Sequence, residues 1–220
     1  MTITLPKAVS ALNGKEYIDG HHLFKYGKKK YLKSMYESGI IRIMPATFYK
    51  DASLNSAIHD DERLLSVYFH PDKINISHQS KKTGEINKIN PIGNVTATYE
   101  LKTNYYVYCM AYLYDFRLFD DFEADSCIVV NDIQGFLTKV DRAFNQAASG
   151  LDGFVSTVNY IDPLNPPKED EFSLFFSKHF KYSYQKETRM VWIPKSDTEL
   201  LNPIYLDIGP MHNYADFIKL

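Results

Sequence analysis

The run Tyr184-Gln185-Lys186-Glu187-Thr188-Arg189-Met190-Val191-Trp192 constrains the fold of this chain most, because it reads as a strand that carries chemistry along one face. Successive side chains of an extended chain point to opposite sides. Gln185, Glu187, Arg189 and Val191 therefore share one face, while Tyr184, Lys186, Thr188, Met190 and Trp192 share the other. A carboxylate is held between an amide and a guanidinium.

With 220 residues, 45% of them hydrophobic and 15% aromatic, the chain can bury one substantial core. No shift in composition marks a second domain, so residues 1–220 are expected to form a single globular domain with 1–15 loosely ordered. The 25 Lys and Arg against 27 Asp and Glu leave a net charge of -2. That balance excludes a global electrostatic drive toward nucleic acid or membrane, and any basic site has to be local. Cys109 and Cys127 lie in apolar strand-like runs, where free thiols behave as small core residues, and a reducing, cytoplasmic setting is the simpler expectation. The first ten residues carry only Lys7, and no stretch of eighteen apolar residues exists; secretion and membrane spanning are not expected.

The order of elements predicts an α+β fold with a strongly twisted or split mixed sheet and interspersed helices. His21 to Gly27 reads as a strand, Lys29 to Ser38 as a helix stopped by Gly39, and Ile40 to Met44 as a buried strand ended by Pro45. Leu64 to Leu101 alternates strand-like pieces with turn formers and predicts hairpins. Tyr105 to Met110 and Ser126 to Val130 are strands, joined by an acidic, aromatic loop from Tyr114 to Asp125 that is long enough to line a cleft. The apolar spacing of Ile133 to Ala147 predicts a helix capped by Asp132. Phe154 to Ile161 reads as a strand, Glu169 to His179 as a helix that starts acidic and ends basic, and Ile204 to Ile208 as the last strand before a C-terminal tail.

At this level the chain resembles a widespread bacterial family of uncharacterised domains. The likeness is carried by Leu23-Phe24-Lys25-Tyr26-Gly27, the helix ending in Gly39, Cys109-Met110-Ala111, Tyr160-Ile161-Asp162-Pro163, the Gln185-Lys186-Glu187 strand and Leu206-Asp207-Ile208-Gly209. In the order of its parts the chain is also similar to the ADP-ribosyltransferase superfamily. That resemblance implies a split sheet gripping NAD, as substrate, in a central cleft. It also implies Glu187 as the catalytic carboxylate and Gln185 as the residue that orients the acceptor. Tyr26 and Lys25 stand where the superfamily usually has His or Arg before Gly, with His21 and His22 nearby as alternatives. A tyrosine can hydrogen-bond a ribose hydroxyl and a lysine can meet a phosphate, yet neither reproduces an arginine fork. Tyr49 or Ser126 replaces the superfamily's middle Ser-Thr-Ser or Tyr motif, and Arg189 joins Tyr26, Lys25 and Tyr49 as nucleotide-binding residues. The implied activity is transfer of ADP-ribose to a macromolecular acceptor, nucleic acid or protein, by a toxin or antiphage-defence effector with an antitoxin or regulator as partner.

Blander readings compete at each position. Glu187 paired with Arg189 or Lys186 on a half-exposed strand would be a weak surface ion pair, and a tyrosine at a strand end is more often core than ligand contact. Lys28-Lys29-Lys30 with Lys33 would simply be solvated unless they line the cleft, since lysines oppose the dipole at a helix N-terminus. Tyr31, Tyr36, Tyr105, Tyr106, Tyr108, Tyr112 and Tyr114 mostly mark a core with polar tips. Asp60-Asp61-Glu62 and Asp120-Asp121 lack the convergent spacing of a metal site, and no metal is expected. No nucleophile elbow, Walker loop or dinucleotide fingerprint is present. Two other classes remain: a non-catalytic module that binds nucleic acid or protein through the lysine helix and the tyrosine-rich strands, and a glycosidase-like hydrolase pairing Glu187 with Asp61 or Asp125.

Overall fold

A computed structural model describes residues 7–9, 14–18, 20–167 and 173–220. Strands β1 (Lys7–Val9) and β2 (Glu16–Ile18) form a small ladder ahead of β3 (Leu23–Gly27), helix α1 (Lys29–Ser38) and β4 (Ile40–Pro45). Most of the remainder of the 1–15 segment lies outside the described residues. After a 3-10 turn at Ala46–Lys50 come β5 (Leu64–Phe69), β6 (Ile76–Gln79), β7 (Ile86–Ile89) and β8 (Val95–Glu100), in which the β6–β7 hairpin is inserted between the paired β5 and β8. Next follow β9 (Tyr106–Ala111), the short α2 (Arg117–Asp121), β10 (Ser126–Val130) and α3 (Ile133–Ala147). The last part holds β11 (Leu151–Thr157), β12 (Asn159–Ile161), β13 (Ser177–His179), β14 (Glu187–Pro194), β15 (Ile204–Asp207) and β16 (Ala215–Lys219).

The main sheet runs β11-β14-β9-β3-β10-β16, and β4 with its partner β15 branches from β9. All its pairings are antiparallel, so it is not the mixed sheet the sequence suggests; the parallel pair among the described residues is β12 with β13. The sheet forks at β9. On one side β9 pairs with β14 along its length, whereas on the other it meets β4 only at Tyr106 and Val107 and β3 only at Ala111. Between those points β3 and β9 part, and α1 links the two arms of the fork.

One face of the sheet is covered by α1 and α3. The period of α3 puts Phe136, Val140 and Phe144 on its inner side, where all three are fully buried, and the Phe144 ring stacks on Trp192 of β14 with centroids 4.2 Å apart. Each such side chain contributes on the order of 1.5 to 3 kcal/mol by leaving water. The helix starts where Asp132 accepts a hydrogen bond from the Gly135 N–H at 2.9 Å, satisfying a donor the first turn leaves open. Gly39 ends α1 with φ 74, and its N–H donates to the Met35 carbonyl at 2.9 Å; a Cβ at Gly39 would collide with the Gly209 backbone.

Three expectations change. Residues 169–172 of the expected helix 169–179 lie outside the described residues, and its remainder is a 3-10 turn at Leu174–Phe176 followed by strand β13. The strand is favoured because it pairs with β12 and lets Lys178 reach buried carboxylates. The C-terminal tail is β16, an edge strand whose register on β10 runs from Ser126↔Lys219 to Val130↔Ala215. Gln185 does not belong to the strand: Phe180–Gln185 is a 3-10 helix, Lys186 is left-handed with φ 45, and β14 begins at Glu187. Among the described residues no helix is long and apolar enough to cross a membrane.

Candidate functional site

Where β3 and β9 separate, two edges of backbone lose their ladder partners and a cavity of about 360 Å³ opens. Lys25 bridges part of the gap. Its Nζ donates to the Cys109 carbonyl at 2.7 Å and lies 4.4 Å from the centre of the Tyr108 ring. Burial holds its pKa below the ordinary lysine value, with Cys109 and Glu187 opposing that shift. The cavity is lined by Lys25, Tyr26 and Lys28 from the β3 end, by Tyr49 from the turn after β4, and by Glu62, Lys178, Gln185 and Glu187 at its floor.

Glu187 faces Ala111 of β9 across the ladder, and Ala111 in turn faces Phe24 of β3. The fork therefore places the first residue of β14 opposite the first strand of the fold. Tyr26 packs edge-on against Phe119, and its hydroxyl accepts a hydrogen bond from the Asp115 N–H at 3.0 Å. Its ring still lines the cavity. Burial raises its pKa far out of the physiological range.

At the floor four buried charges alternate in a closed ring. Arg189 Nε donates to Glu187 Oε1 at 2.7 Å, and Glu187 Oε2 lies 3.4 Å from Lys178 Nζ. Lys178 Nζ is 3.5 Å from Glu62 Oε1, and Glu62 Oε2 returns to Arg189 Nη2 at 2.7 Å, a charge contact rather than an aligned hydrogen bond. Asp60 hangs on this ring, 3.7 Å from Lys178. Burial alone would push the Glu187 pKa up, but Arg189 and Lys178 win and hold it down at about 2, with help from the Cys109 thiol. Burial pushes Asp60 up to about 6, and Glu62 adds to that while Lys178 opposes it. Glu187 is thus a carboxylate held ionised at neutral pH, anchored by Arg189 and Lys178 at the bottom of an aromatic-walled cavity. It is suited to stabilising positive charge and unsuited to giving up a proton.

The remaining sequence candidates fall on both sides of this line. Gln185 is buried at the cavity, its Nε2 donating to the Ala57 carbonyl at 2.7 Å and its Oε1 accepting from Lys178 at 3.2 Å. With both ends of its amide engaged, it positions Lys178 and the segment over the cavity. Tyr49 lines the cavity, and its phenol is buried near Cys109, Glu62 and Glu187. Arg189, expected to bind the nucleotide, is 0% exposed and does not line the cavity; it holds Glu187, Glu62 and the Phe175 carbonyl from behind. Ser126 is also away from the cavity, its hydroxyl donating to the Gly27 carbonyl at 3.0 Å, and His22 sits against Asn131. Asp61 pairs with Lys50, and Asp125 accepts from the Lys29 N–H, so neither acid expected for a hydrolase meets Glu187.

Glu62, Lys178 and Tyr160, whose hydroxyl accepts from the Glu187 N–H at 2.8 Å, belong to the site without having been signalled by the sequence. Glu62 closes an acidic triplet that looks solvated, yet its three members take three courses: Asp60 toward Lys178, Asp61 toward Lys50, and Glu62 into the ring. One signal was available. An arginine on the inward face of a buried strand needs a carboxylate partner and acceptors for its remaining N–H groups. No family model, curated protein or solved structure matches the chain, so the site is interpreted from its own geometry and chemistry.

Proposed function

We propose that the cavity is the active site of an ADP-ribosyltransferase that consumes NAD and modifies a macromolecular acceptor, in a split-sheet fold of the ADP-ribosyltransferase type. The observation that carries this is the convergence of Tyr26 on β3 and Glu187 at the start of β14 on one cavity. In the reaction the nicotinamide–ribose bond breaks with its electron pair passing to the pyridinium nitrogen. The anomeric carbon takes on oxocarbenium character, and a lone pair of the acceptor forms the new bond while the acceptor's proton leaves to solvent. A carboxylate that accepts a hydrogen bond from the ribose hydroxyl and faces the developing cation binds the transition state more strongly than the ground state. Glu187 has that character because its charge is fixed from two sides. Tyr26, Tyr31, Tyr49 and Phe122 supply aromatic walls for the leaving ring, and Gln185 acts as a positioning residue.

Glu187→Gln is expected to lower NAD consumption by at least about a hundredfold, the usual scale for losing one charge-stabilising group. NAD hydrolysis and transfer of labelled ADP-ribose in lysate measure it. Since Glu187 also neutralises Arg189, thermal unfolding of the variant is followed in parallel. A folded Gln variant with full activity, or wild-type protein that neither binds NAD nor labels any acceptor, rules the reading out. Asp61 and Asp125, the second carboxyls of the glycosidase alternative, engage Lys50 and the Lys29 N–H and do not face Glu187, which argues against that reading. A non-catalytic binding module of the same fold is favoured by one observation, the lysine run beside the cavity mouth.

A further inference from the structure

Lys28, Lys29, Lys30 and Lys33 line a single open groove with Asp125, and Lys28 also lines the cavity that holds Glu187. The groove and the cavity therefore adjoin at Lys28. All four lysines are exposed, and among the described residues no carboxylate pairs with the ammonium of Lys28, Lys29 or Lys30. Lys33 lies 3.6 Å from Glu37 one turn along α1, and Asp125 accepts from the Lys29 N–H, so the groove is cationic but not purely so. Four cationic side chains within six residues form a local positive patch in a chain whose net charge is -2, complementary in charge to a polyanion. Tyr31, next to Lys30 in the chain, lines the cavity. Of the seven tyrosines in the aromatic runs it is the one that is exposed, at 65%, and Lys30 Nζ lies 4.7 Å from its ring centre.

We infer that the groove holds the phosphates of a single-stranded nucleic acid, with a base stacked on Tyr31 at the cavity mouth, so that a nucleotide of the strand is the acceptor. A run of ammonium groups beside an exposed aromatic ring is the usual combination for binding single strands without sequence readout. Four lysines in one groove fit a series of phosphates better than one pyrophosphate. The identity of the acceptor rests on the transferase reading, whereas the binding itself does not.

Binding is measured by fluorescence anisotropy with labelled single-stranded and duplex oligonucleotides, on the full chain without NAD and across a salt series. Single-stranded DNA or RNA is expected to bind in preference to duplex. Replacing Lys28, Lys29, Lys30 and Lys33 with Gln should weaken binding at least tenfold. It should also flatten the dependence of log Kd on log salt by roughly 2 to 3, at about 0.7 for each phosphate that is no longer neutralised. Tyr31→Ala should weaken binding by about tenfold with little change in slope, as loss of one stacked base does. Equal affinity and slope for wild type and the four-lysine variant, or no binding by either, overturns the inference. So does competition by NAD combined with lysine variants that lose NAD turnover yet keep the oligonucleotide, since the groove would then serve the dinucleotide's own pyrophosphate. Oligonucleotide binding that depends on the lysines in a protein inert toward NAD supports the groove and removes the transferase reading.

Discussion

The two faces of β14 are buried alike and held by opposite physics. Trp192 and Met190 point into the helix-covered layer, while Glu187 and Arg189, equally shielded, point into a ring of charges. The first face is stabilised by area and dispersion, which depend little on pH. The second is stabilised only while every charge keeps its neighbours, because desolvating an ion costs several kcal/mol that its partners must offset. An apolar filling of the same volume would fold at least as well. The ring is therefore better explained by what the cavity does than by what the fold needs.

The two faces come apart most clearly when each is damaged once. Arg189→Met leaves Glu187 and Glu62 facing each other with Lys178 alone, and should lose about 3 to 5 kcal/mol at pH 7 by urea unfolding. Phe144→Ala, on the other side, should lose a similar or slightly smaller amount, about 3 to 4 kcal/mol. Lowering the pH to 4 separates them. Without Arg189 the buried carboxyls take up protons more readily folded than unfolded, so acid restores part of the Arg189→Met loss and none of the Phe144→Ala loss. Equal responses of the two variants would dissolve the distinction.

A smaller effect tells the faces apart in the wild-type chain. Glu187 is held at about 2 against an ordinary 4.5, so its contribution is complete above pH 4.5 and disappears as pH falls through 2. Linkage makes that on the order of 3 kcal/mol, visible as a falling unfolding midpoint in this window. Asp60 works in the other direction. Its pKa is raised to about 6 from 3.8, so the folded state binds the extra proton and stability declines as pH rises from 3.8 through 6. Asp60→Asn should therefore raise stability at pH 7, by on the order of 3 kcal/mol, and leave it unchanged at pH 3. A variant destabilised at pH 7 would show that its attraction to Lys178 outweighs its burial.

What the sequence made legible divides along the same line as the two faces. Helices α1 and α3 run from Lys29 to Ser38 and from Ile133 to Ala147 as their spacing predicts, because the 3.6-residue period and the punctuation at Gly39 and Asp132 are local facts. The strands β3, β4, β9, β10 and β15 were similarly visible as apolar or alternating runs. By contrast β16 is five residues with a charge near each end, and only the open edge of β10 makes it a strand. The turn and strand after residue 173 read as a helix because residues 169–179 run from acidic to basic, as a helix dipole favours; Lys178 and the β12 partner decide otherwise.

At the site, Glu187, Gln185, Tyr26, Lys25 and Tyr49 all reach one cavity. Arg189 shares a face with Glu187 and pairs with it, as alternation suggests, but the pair is buried and not half-exposed, since full burial cannot be read from alternation. Glu62 is not legible because its partners Lys178 and Arg189 are far away in the chain, and Lys178 is not because it reaches Glu187, nine residues on, only through the 3-10 turn between them.

Closure of the charge ring also limits how this protein can change. Each of Glu62, Lys178, Glu187 and Arg189 touches two members of opposite sign, so any one-step substitution leaves a buried defect worth several kcal/mol, a large part of the stability of an ordinary domain. Replacing all four together by apolar residues has no such penalty. The route from one state to the other passes through intermediates worse than both ends, which couples the four positions energetically into one unit.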